Sequence, residues 1–82
     1  IESEASCLLL WSAEQVAELN KLYETNEFIP DFLFIGSDGG GEGYAIKKGS
    51  ENIFQIPFVT MDEEDAIIVA SSFDEFMSSF FL

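Results

Sequence analysis

The chain has 82 residues, enough for one small domain, and 48% of them are hydrophobic, which is sufficient apolar side chain for a folded core. Sixteen acidic residues against three lysines, with no arginine and no histidine, give a formal net charge of −13. This charge repels phosphate backbones and anionic lipid headgroups, so it argues against nucleic acid or a membrane surface as ligand. It attracts a protein partner with a basic surface, and the alternative is that it serves solubility alone.

Cys7 is the single cysteine, so an internal disulfide is excluded and a reducing, cytoplasmic compartment is expected. Its apolar neighbours favour a small buried side chain over a nucleophile. The chain begins at Ile1 rather than at Met, which we interpret as a fragment or a trimmed domain. No apolar run approaches the ~20 residues that span a bilayer, and no signal peptide is visible.

The first elements are a short apolar strand over residues 8–11 and a helix that starts at Ser12. Ser12 and Gln15 have the spacing of a capping box, and Trp11 with Val16 has that of a hydrophobic staple. Apolar residues then recur at helical spacing and predict one buried stripe. The stripe consists of Val16, Leu19, Leu22 and Tyr23.

The middle of the chain predicts an antiparallel hairpin with a wide loop. Residues 32–35 form a continuous apolar run, which is typical of a strand covered on both faces. A glycine-rich stretch over 36–43 interrupts the run, and residues 43–47 return as a second strand. We interpret the loop as a turn whose glycines supply positive φ angles. A phosphate-binding loop is disfavoured because the stretch contains Asp38 and Glu42, lacks lysine and is followed by a strand.

The last third predicts two more strands and a helix. Residues 53–56 form a third strand, which Pro57 either ends or places at an edge of the sheet. An acidic connector leads to a β-branched strand over residues 66–70. The closing helix has Ser72 and Glu75 at capping-box spacing and a wide aromatic stripe, expected to pack on the sheet, of Phe73, Phe76, Met77, Phe80 and Phe81. The class is therefore α+β, with an antiparallel sheet flanked by helices.

Four segments of the chain form a pattern in their order and spacing: 11–16 (WSAEQV), 33–44 (LFIGSDGGGEGY), 56–58 (IPF) and 72–76 (SFDEF). This pattern resembles the SMI1/KNR4 (SUKH) family. In that family a strand of the FIAIG type enters an SDGGGE loop, returns as a strand and leads to a DSFEEFL helix. The match covers roughly residues 8 to 82, so residues 1–82 are interpreted as a single SUKH-like domain that lacks the family's N-terminal helices.

The resemblance implies an α+β fold and a role in protein binding. Many bacterial members of the family are immunity proteins that neutralise nuclease or other toxins of polymorphic or contact-dependent systems. Fungal relatives act as intracellular regulators through protein contacts, so a regulatory or scaffold role without a toxin is the alternative. The acidic charge is compatible with the first role, because a nuclease toxin carries a basic cleft to which an acidic inhibitor is steered.

The candidate partner-binding residues are the carboxylates of the loop and of the connector. They are Asp38, Glu42, Asp62, Glu63, Glu64 and Asp65. No cofactor is expected, and zinc lacks its usual ligands. Calcium binding at these carboxylates would be weak, because the EF-hand spacing is absent. Without histidine, neither a Ser-His nor a Cys-His pair is available, so an enzyme remains only a distant alternative, through chance pairs of carboxylates.

Overall fold

The computed structural model describes the backbone of residues 8–81 and the side chains of residues 8–79. Within these residues five strands form one antiparallel sheet, and the strands lie side by side in the order in which they occur along the chain. The elements are β1 (Leu9–Leu10), α1 (Ala13–Leu22), α2 (Thr25–Phe28), β2 (Phe32–Ser37), β3 (Glu42–Lys47), β4 (Ile53–Pro57), a 3-10 turn (Glu63–Asp65), β5 (Ile67–Ala70) and α3 (Phe73–Phe81).

The predicted α+β class and the predicted hairpin are confirmed. β2 and β3 pair antiparallel, with Phe32 opposite Lys47 and Ser37 opposite Gly43. Pro57 ends β4, but β4 lies between β3 and β5, so the alternative of an edge strand is wrong. A proline is tolerated in this interior strand because it occupies the last position of the ladder.

The core is divided between the two faces of the sheet. Because side chains alternate along a strand, the run over 32–35 contributes to both faces, as predicted, although Leu33 remains 42% exposed. One face buries Ile29, Phe32, Phe34, Ala45, Ile56 and Met61. The other face buries Ile35, Tyr44, Ile53, Ala70 and Phe76, with Phe76 supplied by α3.

Helix α1 begins where its capping box predicts. The Gln15 backbone N–H donates to Ser12 Oγ at 3.2 Å, and the Ser12 N–H donates to Gln15 Oε1 at 2.9 Å. The predicted apolar stripe, in contrast, is only partly correct. Leu22 is 70% exposed, whereas Asn20, a polar residue outside the stripe, is 8% exposed.

Asn20 is buried because its side chain extends the sheet. On the side of β2 away from β3, only Leu9 and Leu10 of β1 pair with β2, opposite Ser37 and Gly36. The chain then leaves the sheet to form α1. Asn20 Nδ2 donates to the Phe34 carbonyl at 2.8 Å, and Asn20 Oδ1 accepts from the Phe34 N–H at 2.9 Å. The amide thus satisfies both backbone groups of a buried residue, as a neighbouring strand would.

Further hydrogen bonds hold the Asn20 side chain in this position. Nδ2 also donates to the Val16 carbonyl at 2.6 Å, within α1. The Thr25 hydroxyl lies 3.2 Å from the Asn20 carbonyl oxygen and 3.3 Å from Asn20 Oδ1. Thr25 is itself buried and opens α2, the four-residue helix that the sequence patterns do not predict. Asn20 therefore connects α1, α2 and β2.

Helix α3 starts with a variant of the predicted capping box. The Glu75 N–H donates to Ser72 Oγ at 3.1 Å, as expected. The Glu75 carboxylate, however, accepts from the N–H and the hydroxyl of Ser71, one residue further back, at 2.7 and 2.6 Å. Of the predicted stripe, Phe76 is buried and Phe73 is 44% exposed. The side chains of residues 80 and 81, like Cys7, lie outside the described part of the chain.

Replacement of Asn20 by alanine tests the connection between helix and sheet. We expect Asn20→Ala to lower the free energy of unfolding by about 2–4 kcal/mol, because the Phe34 N–H and carbonyl lose their partners away from water. Urea denaturation measures this loss. Asn26→Ala, at an exposed position in α2, is the control and should change stability by about 0.5 kcal/mol or less. Equal stability of the two variants would contradict the proposed role of Asn20.

The hydrogen bonds of Glu75 at the start of α3 should make the stability of the domain depend on pH. The hydroxyl of Ser71, and then its N–H, hold the pKa of Glu75 below its ordinary value. Stabilisation by this carboxylate is present above its unfolded-state pKa and is lost as the pH falls through its lower folded-state pKa. Ser71→Ala should raise the pKa of Glu75, as seen by NMR titration of the side-chain carboxyl carbon. Ser78→Ala, on the same helix, should leave it unchanged, and the same titration curve in both variants would exclude the hydroxyl as the cause.

Candidate protein-binding surface

Asp38 holds the glycine-rich loop in shape. Its Oδ1 accepts from the Gly40 N–H at 2.7 Å and from the Glu42 N–H at 3.3 Å, while its own N–H donates to the Glu42 carbonyl at 3.1 Å. Gly39 has a φ of 84°, so the predicted positive φ is confirmed at this position. The Asp38 carboxylate is therefore committed to the backbone of its own loop.

Gly43, at the end of the glycine-rich stretch, provides space rather than a turn. A Cβ atom at this position would lie 2.5 Å from the Phe34 ring and 2.7 Å from the Phe58 ring. The residue is buried within β3, and its neighbour Gly41 has no atom near the equivalent position. Gly43 therefore serves the packing of aromatic side chains rather than the turn.

Phe58 is the centre of an aromatic cluster beside the loop. Its ring centroid lies 5.1 Å from that of Tyr23, 5.4 Å from that of Phe34 and 6.4 Å from that of Trp11. Trp11 precedes α1, Tyr23 follows it, and Phe58 follows β4. The cluster thereby fixes both ends of α1 against the sheet next to the glycine-rich loop.

A cleft of about 300 Å³, lined by both apolar and polar atoms, opens beside this cluster. Its lining includes Leu22, Phe28 and Val59, which are 70%, 60% and 91% exposed. Two further lining residues, Glu24 and Met61, have φ angles of 57° and 46°, in the left-handed region that non-glycine residues seldom adopt. Exposed large apolar side chains and unfavourable backbone conformations both occur often at binding sites.

The acidic connector forms the exposed 3-10 turn between β4 and β5. Asp62 Oδ1 accepts from the Glu64 N–H at 3.0 Å and so caps the turn. Glu63 forms a salt bridge with Lys47 at 3.0 Å. Glu64 and Asp65 project from the same turn and are exposed. The turn therefore presents its carboxylates on a regular 3-10 backbone.

Comparison with known proteins identifies the family of the chain. The model of the SMI1/KNR4 family (SUKH-1) matches residues 2–79. The chain belongs to this family. No curated protein matches the chain significantly.

The structure of this SUKH domain places the six predicted carboxylates on two separate elements. Asp38 and Glu42 lie at the loop between β2 and β3, and residues 62–65 lie on the turn between β4 and β5. Asp38, Asp62 and Glu63 already have partners within the domain, and binding of a partner protein by any of the six stays a prediction.

The cleft beside Phe58 was not predicted from the sequence. Its residues come from three separate segments, and Leu22 was interpreted as part of a buried stripe. Within residues 8–81, no group of three or more potential metal ligands is close enough to hold an ion, and no helix is long and apolar enough to cross a bilayer.

A pair of glycine substitutions tests the packing of this SUKH loop. Gly43→Ala should lower the free energy of unfolding by about 1–3 kcal/mol, because the new methyl group overlaps the Phe34 and Phe58 rings. Gly41→Ala adds the same methyl group where no atom lies within 4 Å, and it should be nearly neutral. Thermal unfolding of both variants measures the difference. Equal melting temperatures would show that Gly43 is not required for packing.

Proposed function

We propose that this SUKH domain is a non-catalytic binding module that neutralises a toxin with a basic surface, of the nuclease class, inside the cytoplasm. The observation that carries the proposal is the net charge of −13 on a domain of this family. A charge of this size on a small domain attracts basic surfaces over several ångströms and accelerates encounter with them. The chain has no histidine, which leaves binding favoured over catalysis.

The arrangement of the carboxylates supports an inhibitor that is folded before it binds. The 3-10 turn holds four consecutive acidic residues, 62–65, in a fixed backbone conformation through the Asp62 cap. A preformed charged surface loses little conformational entropy on association. The cleft lies next to this turn in the chain, since Met61 lines it, and its exposed Leu22, Phe28 and Val59 offer a contact for the toxin.

The first experiment asks whether the domain protects a cell. The gene for the domain is expressed together with a toxin gene encoded beside it, and growth is compared with that of cells that express the toxin alone. Rescue of growth supports the proposal. Failure to rescue, with a signalling or cell-envelope protein recovered from the native cell as the bound partner, would instead assign the domain to the regulatory role known for fungal relatives.

The second experiment tests the contribution of the acidic turn. Glu64 and Asp65 are the suitable positions, because their exposed side chains are not needed for the cap of the turn. Reversal of both charges to lysine should slow association with the toxin about tenfold at low salt, and added salt should reduce the difference. Stopped-flow fluorescence measures the association rate.

The control for charge reversal has the same change in net charge at a distance from the turn. Glu18→Lys with Glu51→Lys alters two exposed glutamates on α1 and on the turn before β4. This variant should slow association by about threefold or less. Equal effects of the two double variants would show that only the total charge matters and would contradict a contact at the acidic turn.

A further inference from the structure

Strand β5 presents an unpaired edge. It is the last strand in the order of the sheet, and among residues 8–81 no strand lies on its outer side. In an antiparallel ladder, alternate residues direct their N–H and carbonyl groups away from the neighbouring strand. β5 is paired through Ile67, Ile68 and Ala70 with β4, so its outer backbone groups are available to another chain.

The side chains of β5 are unusually exposed for an apolar strand. Ile67, Ile68 and Val69 are 62%, 56% and 41% exposed, and Ala70 alone is buried, in the core under α3. Edge strands are commonly protected from pairing by lysine, by proline or by an inward-pointing charge. Residues 66–70 contain none of these, although the strand is short and its register shifts once.

Acidic residues lie on both sides of this apolar edge in the sequence. The four carboxylates of residues 62–65 precede it, and Asp74 and Glu75 follow it in the first turn of α3. A second copy of this chain would bring a further charge of −13 and the same acidic flanks, so pairing of two β5 edges is opposed by electrostatic repulsion. A strand with basic side chains would instead be attracted to these carboxylates.

We propose that the β5 edge accepts an extended segment of a partner protein, one with alternating basic and apolar residues, as an additional antiparallel or parallel strand. This inference rests on the proposed function in one respect, namely that the partner is basic. Backbone hydrogen bonds to β5 supply the pairing, the apolar residues of the segment cover Ile67, Ile68 and Val69, and its basic residues approach the carboxylates of residues 62–65. Four residues of strand span about 13 Å, which sets the minimum length of the segment.

The probe is a synthetic peptide of about eight residues in which lysine and valine alternate. We expect its addition to the ¹⁵N-labelled domain at low salt to shift the backbone amide signals of residues 66–70 more than those of the loop at 38–42. A peptide with N-methyl groups on alternate residues has the same charge and side chains but lacks one row of donors, and it should bind about tenfold more weakly. A peptide with glutamate in place of lysine should not bind.

Two apolar residues of similar exposure provide a matched pair of protein variants. Val69→Lys puts a charge on the β5 edge and should weaken binding of the lysine–valine peptide about tenfold. Leu33→Lys adds the same charge on β2, at a position that is 42% exposed, and its effect should be about twofold or less. The NMR spectra of the variants alone show whether each is folded, and the N-methylated peptide tests the pairing in the unaltered protein.

Three results would overturn the β5 proposal. The first is equal affinity for the N-methylated and unmodified peptides. This result would show that charge alone attracts the peptide, and it would not contradict the proposal that the partner is basic. The second is a largest shift outside residues 66–70. The third is sedimentation of the free domain as a dimer with protected amides at 66–70, which makes a second copy the occupant. Loss of toxin rescue, by contrast, counts against the proposed function and leaves the peptide result unaffected.

Discussion

The pair of hydrogen bonds between the Asn20 side chain and the backbone of Phe34 is the constraint on which the arrangement of helices and sheet depends. Strand β1 is only two residues long, so it covers just the last part of β2. The remaining buried backbone of Phe34 needs both a donor and an acceptor, and a carboxamide offers the two side by side on separate atoms. By supplying them, Asn20 fixes the distance and the rotation of α1 relative to the sheet.

The other features of the surface follow from this placement. With α1 held at the edge of β2, Trp11 and Tyr23 at its two ends reach the ring of Phe58, and Gly43 leaves the space that this ring and Phe34 occupy. The same rotation that turns Asn20 inward turns Leu22 outward, where it lines the cleft beside Phe58. A polar contact in the core thereby determines which apolar residues remain on the surface.

Local sequence signals predicted much of this fold, and non-local requirements account for what they missed. Capping boxes and the β2–β3 hairpin depend on residues close together in the chain, and each was found in or near its predicted place. Of the predicted aromatic face of α3, Phe76 is buried and Phe73 is exposed. Asn20 was missed because a polar residue in an amphipathic helix ordinarily faces water. Helix α2 has four residues, which is too short to show a period.

The acidic candidates were visible in the sequence, but their structural roles were not. Asp38 is followed by glycines in the pattern of a turn that the aspartate side chain closes, so its commitment to the loop had a recognisable signal. The capping role of Asp62 had a weaker signal, its position as the first residue of an acidic run. The cleft had none, because its lining comes from α1, α2 and the segment after β4, which are apart in the sequence and meet only in the folded domain.

The order of the strands also bears on how quickly the domain forms. Each strand pairs with the next one along the chain, and the ladders from β2 to β5 close over the short connections 38–41, 48–52 and 58–66. The β1–β2 ladder is the exception, because its connection contains α1 and α2. Loop-closure entropy rises with the length of chain enclosed, and domains built from local pairings fold faster than those built from distant ones. The strands from β2 to β5 therefore meet at a small entropic cost, whereas pairing of β1 with β2 encloses both helices.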